Sequence, residues 1–128
     1  MQTNPFEPSD DALSTTPPTY DQLRKLRRFE LAAALRRLEA DLRFRASSVA
    51  SHVPFELPWD ANGVALRRLE IELDQLAGQA EVLSTIAAAK GNVPDESLRE
   101  LINRAQRAVA KESEVIVDAY WRDYGLAG

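Results

Sequence analysis

One histidine and one serine are the residues whose types and spacing come closest to a nucleophilic site. His52 is the only histidine of the chain, and Ser48 precedes it by four residues, so their side chains can touch on one helix face. A serine nucleophile also needs a group that orients its base and donors that hold the oxyanion, and the sequence supplies neither. We therefore expect His52 to cap a helix end, where a cation interacts well with the helix dipole, or to lie on the surface.

The other chemically versatile residue types are absent or unsuitably spaced. Cysteine is absent, which removes thiol nucleophiles, thiolate metal ligands and disulfides. The Glu-x-x-His pairs of di-iron bundles do not occur, and the five glycines are scattered rather than grouped in a phosphate-binding loop. Glu112 and Glu114 are two residues apart, so on a helix they point in different directions. We therefore expect a protein that is not an enzyme, with no catalytic residue, cofactor or metal.

Size and charge limit the classes of protein to which the chain can belong. The chain has 128 residues, enough for one domain, and its 45% hydrophobic and 28% charged residues with few aromatic ones suit helices. A net charge of −4 gives no overall attraction to nucleic acid or anionic lipid. No apolar run approaches the length of a membrane span, and the N-terminal residues lack the basic and apolar parts of a signal peptide. The expected compartment is the cytoplasm, and the composition suits a bacterial or phage protein.

Proline content and capping residues divide the chain into a tail and three long helices. The first 18 residues are acidic and rich in proline, and they bury too little apolar surface to order themselves. Thr19 and Gln22 have the spacing of a capping box, Asp60 or Asn62 can cap a second helix, and Asp95 can cap a third. The sequence therefore predicts a disordered tail at 1–18 and, within a domain at 19–128, helices at about 19–52, 60–90 and 95–124.

Each predicted helix carries an apolar stripe with steps of three and four residues, which is one face of a helix. The helices are similar in length and their loops are short, which favours antiparallel neighbours. We therefore predict an all-α, elongated antiparallel three-helix bundle (up-down-up), about 45 Å long from the rise per residue. The stripes are Leu31, Leu35, Leu38, Leu42, Ala46, Val49 and Val53, then Leu66, Leu69, Leu73, Leu76, Ala80, Leu83 and Ala87, then Leu98, Ile102, Ala105, Val109, Glu112, Ile116 and Tyr120.

The sequence ALRRLE occurs twice, at residues 34–39 and 65–70. In both copies the two leucines lie on the apolar stripe and the two arginines point away from it. The frame L-R-x-L also occurs near residues 23 and 98, so we interpret it as a favoured amphipathic turn of strong helix formers. An ancestral duplication of one helix is the alternative, whereas a solenoid would need further regular copies.

Basic residues in the first predicted helix raise the alternative of a nucleic-acid partner. Eight of them lie between residues 20 and 52 against four acids. Phosphate binding favours cations on one face, whereas these spread round most of the helix circumference. Glu39 precedes Arg43 by four residues, the favourable order for an ion pair. A solvated face is therefore the preferred interpretation, and nucleic acid remains the alternative partner.

The second predicted helix has another apolar face, roughly opposite its leucine stripe. A glycine within a helix costs about 1 kcal/mol relative to alanine, which is tolerable where another backbone approaches closely. In a three-helix bundle no helix is central, so this face is expected to meet a second copy of the chain, the tail or a partner. We predict a homodimer or higher oligomer, of coiled-coil type, built on Val64, Ile71, Gln75, Gly78, Val82 and Ile86.

Aromatic residues gather at one end of the predicted bundle. The first loop and the end of the last helix meet there, which brings together Phe55, Trp59, Tyr120, Trp121 and Tyr124. We expect Trp59 and Tyr120 to close the end of the core, and Trp121 and Tyr124 to be more exposed. Interfaces are enriched in Trp, Tyr and Arg. The predicted partner-binding residues are therefore Trp121, Tyr124, Phe55 and Trp59, together with Arg36 and Arg37.

Two further expectations concern contacts of the first predicted helix. Glu112 lies within an apolar stripe, so its carboxylate needs a partner, and Arg36 or Arg37 lies at the same height if the first and third helices start level. Leu23, Leu26, Phe29 and Phe44 fall outside the leucine stripe, which predicts contacts with a second neighbour. The sequence as a whole indicates a helical protein–protein interaction module, such as an adaptor, inhibitor or assembly factor, that self-associates.

Overall fold

A computed structural model describes the backbone of residues 17–52 and 61–123, and the side chains of residues 17–52 and 63–117. This part of the chain is all-α, as expected, and no helix in it is long and apolar enough to cross a membrane. The predicted tail lies mostly outside the described residues and stays a prediction. The helices are α1 (Tyr20–Arg24), α2 (Arg28–Ala50), α3 (Ala61–Lys90) and α4 (Asp95–Asp123).

The predicted start of the first helix and end of the second are confirmed. The Gln22 amide donates to the Thr19 hydroxyl over 3.1 Å, and the Thr19 amide donates to the Gln22 side chain over 2.9 Å. These two bonds form the capping box that begins α1. Gly91 follows the last residue of α3 with a φ of +93°, and its amide donates to the Ala87 carbonyl. Glycine adopts this left-handed conformation without steric cost, so the helix ends there.

The first predicted helix is not continuous, which corrects the sequence-based prediction of one helix at about 19–52. α1 ends at Arg24, and the Leu26 amide donates back to the Leu23 carbonyl in a tight turn. Arg27 then has extended backbone angles, and its amide donates to the Glu30 carboxylate over 3.5 Å. This bond from the Arg27 amide to the side chain of the third helical residue begins α2 as a separate helix.

The break allows Leu23 to be buried. The Arg28 guanidinium donates to the Ala89 carbonyl over 2.6 Å, so α2 begins level with the end of α3. A continuous helix upstream of Arg28 would extend beyond α3 and leave Leu23 in water. After the break, α1 packs against α4 and α2, and Leu23 is almost fully buried. The Tyr20 hydroxyl donates to the Asp95 carboxylate, which ties α1 to the first residue of α4.

The core centres on the contact between α2 and α3. The leucine stripes predicted for these helices are buried within the described residues, and alanines between the leucines allow the two backbones to come close. The buried Ser84 hydroxyl donates to the Ala32 carbonyl over 3.0 Å across this contact. α4 packs against α3 less extensively and touches α2 at few positions.

The buried and outward faces of α2 should differ sharply in their contribution to stability. Leu35→Ala should cost about 2–5 kcal/mol, because Leu35 is fully buried between α2 and α3. Phe29→Ala removes a larger side chain and should change stability by less than about 0.5 kcal/mol, because Phe29 is 71% exposed. Urea denaturation of the two variants measures both free energies. A larger cost for Phe29→Ala would mean that the outward face is covered.

Candidate functional site

His52 bonds through Nδ1 to the backbone carbonyl of Ser48, and the Ser51 hydroxyl lies 3.4 Å from the same ring nitrogen. The His52 Nδ1 atom lies 2.8 Å from the Ser48 carbonyl oxygen, which can only accept, so Nδ1 carries the proton. The Ser51 hydroxyl donates to the same carbonyl over 2.7 Å. Both side chains therefore satisfy a carbonyl at the end of α2, which is the capping role expected from the sequence.

Acids and arginines lie together in one groove of the described surface. A shallow groove along α4 and α3 is lined by acids and arginines together, namely Glu72, Glu96, Arg99, Glu100, Asn103, Arg104 and Arg107. Within the described residues, no three carboxylate or histidine side chains are grouped so that they could hold a metal ion. The groove is open to solvent, and its mixed charge selects neither an anion nor a cation.

Among the described residues, the ion pair most removed from water joins α2 to α4. The Arg45 guanidinium lies 2.6 Å from the Glu112 carboxylate and 2.9 Å from the Asp41 carboxylate. Burial opposes the charged form of Arg45, but the hydrogen bonds to Asp41 and Glu112 outweigh it, so the pKa of Arg45 is raised. Glu112, only 9% exposed, thus has the partner that a carboxylate in an apolar stripe requires.

The partner of Glu112 is Arg45, which corrects the prediction of Arg36 or Arg37. Glu112 lies 17 residues after Asp95, the first residue of α4, and Arg45 lies 17 residues after Arg28, the first residue of α2. The predicted partner was found by counting residues from Thr19, where one longer helix was expected to begin. Because the chain folds back before Arg28, the correct partner is found further along the helix.

Arg36 and Arg37 instead lie on an exposed face of α2 that also carries two large aromatic side chains. Phe29 is 71% exposed and Phe44 is 69% exposed, so the expectation that they contact a second neighbour is wrong for the described residues. Ala33 and Ala40, also exposed, lie between them at helical spacing. The α2 outer face is defined here as Phe29, Ala33, Arg36, Arg37, Ala40 and Phe44.

The arginines of this face were predicted from the sequence to bind a partner, whereas the phenylalanines were not. A signal was present, because Phe29 and Phe44 are separated from the leucine stripe and joined to each other by steps of three and four residues. A contiguous apolar patch with cations on it is typical of an interaction surface. Leu26 and Glu30 complete a shallow hollow beside Phe29 at one end of the face.

The basic residues of α1 and α2 are not equally available to a partner. Arg43 pairs with Glu39 over 3.0 Å, as predicted, and with Glu81 over 3.2 Å. Arg45 is held by two carboxylates, and Arg24 lies 3.7 Å from Asp21. The exposed Arg36 and Arg37 have no ion pair with any other described residue.

A second outward face lies on α3. Ile71 is 53% exposed and Val82 is 57% exposed, whereas Val64 and Ile86 are half-buried. A Cβ atom added to Gly78 would meet nothing within 4 Å. The α3 outer face is defined here as the residues predicted to self-associate: Val64, Ile71, Gln75, Gly78, Val82 and Ile86.

The predicted aromatic end lies outside the described residues. Phe55, Trp59 and Tyr124 belong to segments that the structure does not describe. Trp121 lies in α4, but its side chain is outside the described part, as is that of Tyr120. These residues stay predictions, and the candidate surfaces are the two outward faces of α2 and α3.

The ion pair between α2 and α4 gives a test of the register of these helices. Glu112→Ala should cost about 3 kcal/mol, because it removes the carboxylate that lies 2.6 Å from the Arg45 guanidinium in a largely buried position. Glu114→Ala should cost less than about 0.5 kcal/mol, because Glu114 is exposed. Thermal and urea unfolding of both variants provide the measurement. Equal, small losses would show that Glu112 is solvated and the register is wrong.

Comparison with known proteins gives no match. No protein-family model, no curated protein and no solved structure is significantly similar to the chain. The α2 and α3 outer faces are therefore the features of the chain that bear on its function.

Proposed function

We propose that the protein is a non-enzymatic helical interaction module that associates with a second copy through the α3 outer face. The observation that carries this proposal is that Ile71 and Val82 are exposed on either side of Gly78. A Cβ atom added to Gly78 would meet nothing within 4 Å. Burying these side chains against another copy would gain about 25 cal/mol per Å² of apolar surface removed from water. Adaptors, inhibitors and assembly factors use surfaces of this kind.

Gly78 supports an intermolecular contact because nothing in the described chain requires it. Its φ is not positive, and an added Cβ would meet open space, so alanine would be accommodated at this position. Alanine would also favour the helix by about 1 kcal/mol. A close approach of another backbone is a physical reason for glycine here.

The proposal includes an up-down-up arrangement of α2, α3 and α4. Arg28 and Ala89 support the antiparallel direction of α2 and α3. The pairing of Arg45 with Glu112, at equal distances from the starts of their helices, supports a parallel direction for α2 and α4. The α3 outer face and the α2 outer face then point in roughly opposite directions, since each lies opposite its own leucine stripe.

The α2 outer face supports binding of a protein partner that is distinct from the second copy. Phe29 and Phe44 supply apolar contact area, and Arg36 and Arg37 supply directional donors between them. Aromatic residues and arginine are enriched among the residues that dominate binding energy in interfaces. Nucleic acid remains the alternative partner, but the ion pairs of Arg43 and Arg45 reduce the positive charge that is available to bind phosphate groups.

Gly78→Leu should separate folding from association. In the single chain a Cβ atom at this position meets nothing within 4 Å, and leucine favours the helix by roughly 1 kcal/mol, so the melting temperature of the dilute protein should stay the same or rise. The same side chain should prevent close approach of a second copy, so the mass in solution should shift toward that of one chain. Light scattering after size-exclusion chromatography measures the mass.

Ala110→Leu is the matched control for this variant. It adds a leucine side chain to an exposed position of α4, away from the α3 outer face. The control should therefore retain the mass of the wild type. If Gly78→Leu and Ala110→Leu both keep the wild-type mass, the α3 outer face is not the site of association.

Nucleic-acid binding can be tested on the same protein. At low ionic strength, the wild type and Arg36→Ala/Arg37→Ala should show the same weak or absent mobility shift of duplex DNA and of RNA. The wild type and the double variant should melt at the same temperature, because these arginines are exposed and unpaired among the described residues. A strong shift of the wild type that falls steeply with salt and is lost in the double variant would favour the nucleic-acid alternative.

A further inference from the structure

The α3 outer face is complementary to itself when two copies of α3 run in opposite directions. Ile71 lies seven residues before Gly78, and Ile86 lies seven residues after Gln79. Likewise, Gln75 lies three residues before Gly78, and Val82 lies three residues after Gln79. An antiparallel pair that crosses at the Gly78–Gln79 peptide therefore places Ile71 level with Ile86 of the other copy. The same crossing places Gly78 at the point of closest approach.

Charge also favours this direction over a parallel one. A parallel pair would place each residue level with its own copy, so Glu72 and Asp74 would lie beside the same acids. Like charges at such flanking positions oppose helix pairing, and these positions set orientation in coiled coils. In the antiparallel pair, Glu72 and Asp74 lie level with Thr85 and Leu83, which are uncharged.

The basic residues at the start of α3 do not meet like charges in the antiparallel arrangement. Arg68 would lie level with Ala89 of the other copy rather than beside a second Arg68. Arg67 would lie level with Lys90, but on a helix these two residues fall on opposite edges of the α3 outer face. The charge of Arg67 is also balanced within its own chain, because it lies 3.1 Å from the Glu70 carboxylate.

We infer that two copies of the chain pair through their α3 outer faces in an antiparallel direction, with the two-fold axis at the Gly78–Gln79 peptide. This inference rests on the proposed function, since it specifies how the second copy is recognised. The interface is isologous, so the same residues serve both copies and the assembly closes as a dimer. The α2 outer face of each copy remains outside this interface.

Disulfide formation between single-cysteine variants distinguishes the arrangements, because the chain has no cysteine of its own. A disulfide requires Cα atoms within about 7 Å of each other. In the antiparallel dimer the two copies of residue 71 are about 22 Å apart along the axis, so Ile71→Cys alone should not form a linked dimer. Ile71→Cys mixed with Ile86→Cys should form one under mild oxidation, and Gly78→Cys should form one by itself.

The control is Phe44→Cys, which is exposed on the α2 outer face and reports random collisions. The mixed pair should link roughly tenfold faster than this control or more, because association holds its thiols at high effective concentration. Thr85→Cys, an exposed position next to Ile86, repeats the mixed experiment without changing a half-buried residue.

The outcomes separate the inference from the proposed function. Linking of Ile71→Cys alone, as fast as the mixed pair, would show a parallel dimer and overturn the inference while self-association stands. No linking above the control, with the mass of a dimer, would place the interface elsewhere and overturn the inference. If no disulfide-linked dimer forms and the protein in solution has the mass of one chain, the proposed function itself is overturned.

Discussion

Burial of one stripe of leucine and alanine on each of α2 and α3 is the constraint on which the rest of the structure depends. These two helices bury most of the core between them, and alanines together with Ser84 let their backbones approach closely. Because a helix repeats every 3.6 residues, fixing the inner stripe also fixes which residues point outward. Phe29 and Phe44 on α2, and Ile71 and Val82 on α3, are exposed for this reason. The two candidate surfaces are thus consequences of the same packing.

Much of this fold could be predicted from the sequence because local signals agreed with tertiary packing. The capping box of Thr19 and Gln22, the leucine stripes and Gly91 each have a local physical cause and are found where the pattern indicates. The break before Arg28 has no such signal, since neither proline nor glycine marks it. It arises because α3 ends level with Arg28, which is a property of the packed helices. The prediction of Arg36 or Arg37 as the partner of Glu112 failed for this one reason.

The candidate site was predictable to a different degree on each helix. The pattern of α3 identified its second apolar face, because a valine–isoleucine series with a glycine recurs opposite the leucines. On α2 the arginines were identified, but Phe29 and Phe44 were expected to be covered. Periodicity shows that a side chain lies off the core stripe, but it does not show whether another helix lies over it. That depends on where α4 packs, and α4 packs mainly on α3.

We propose that the outward apolar face of α3 contacts a second copy of this chain. Sedimentation equilibrium of the wild-type protein over a range of concentrations tests it most directly, because it needs no partner, label or substitution. If two copies associate, the average mass should rise from 14.3 kDa toward twice that value at tens of micromolar and fall again on dilution. A single species of 14.3 kDa at every concentration would contradict it.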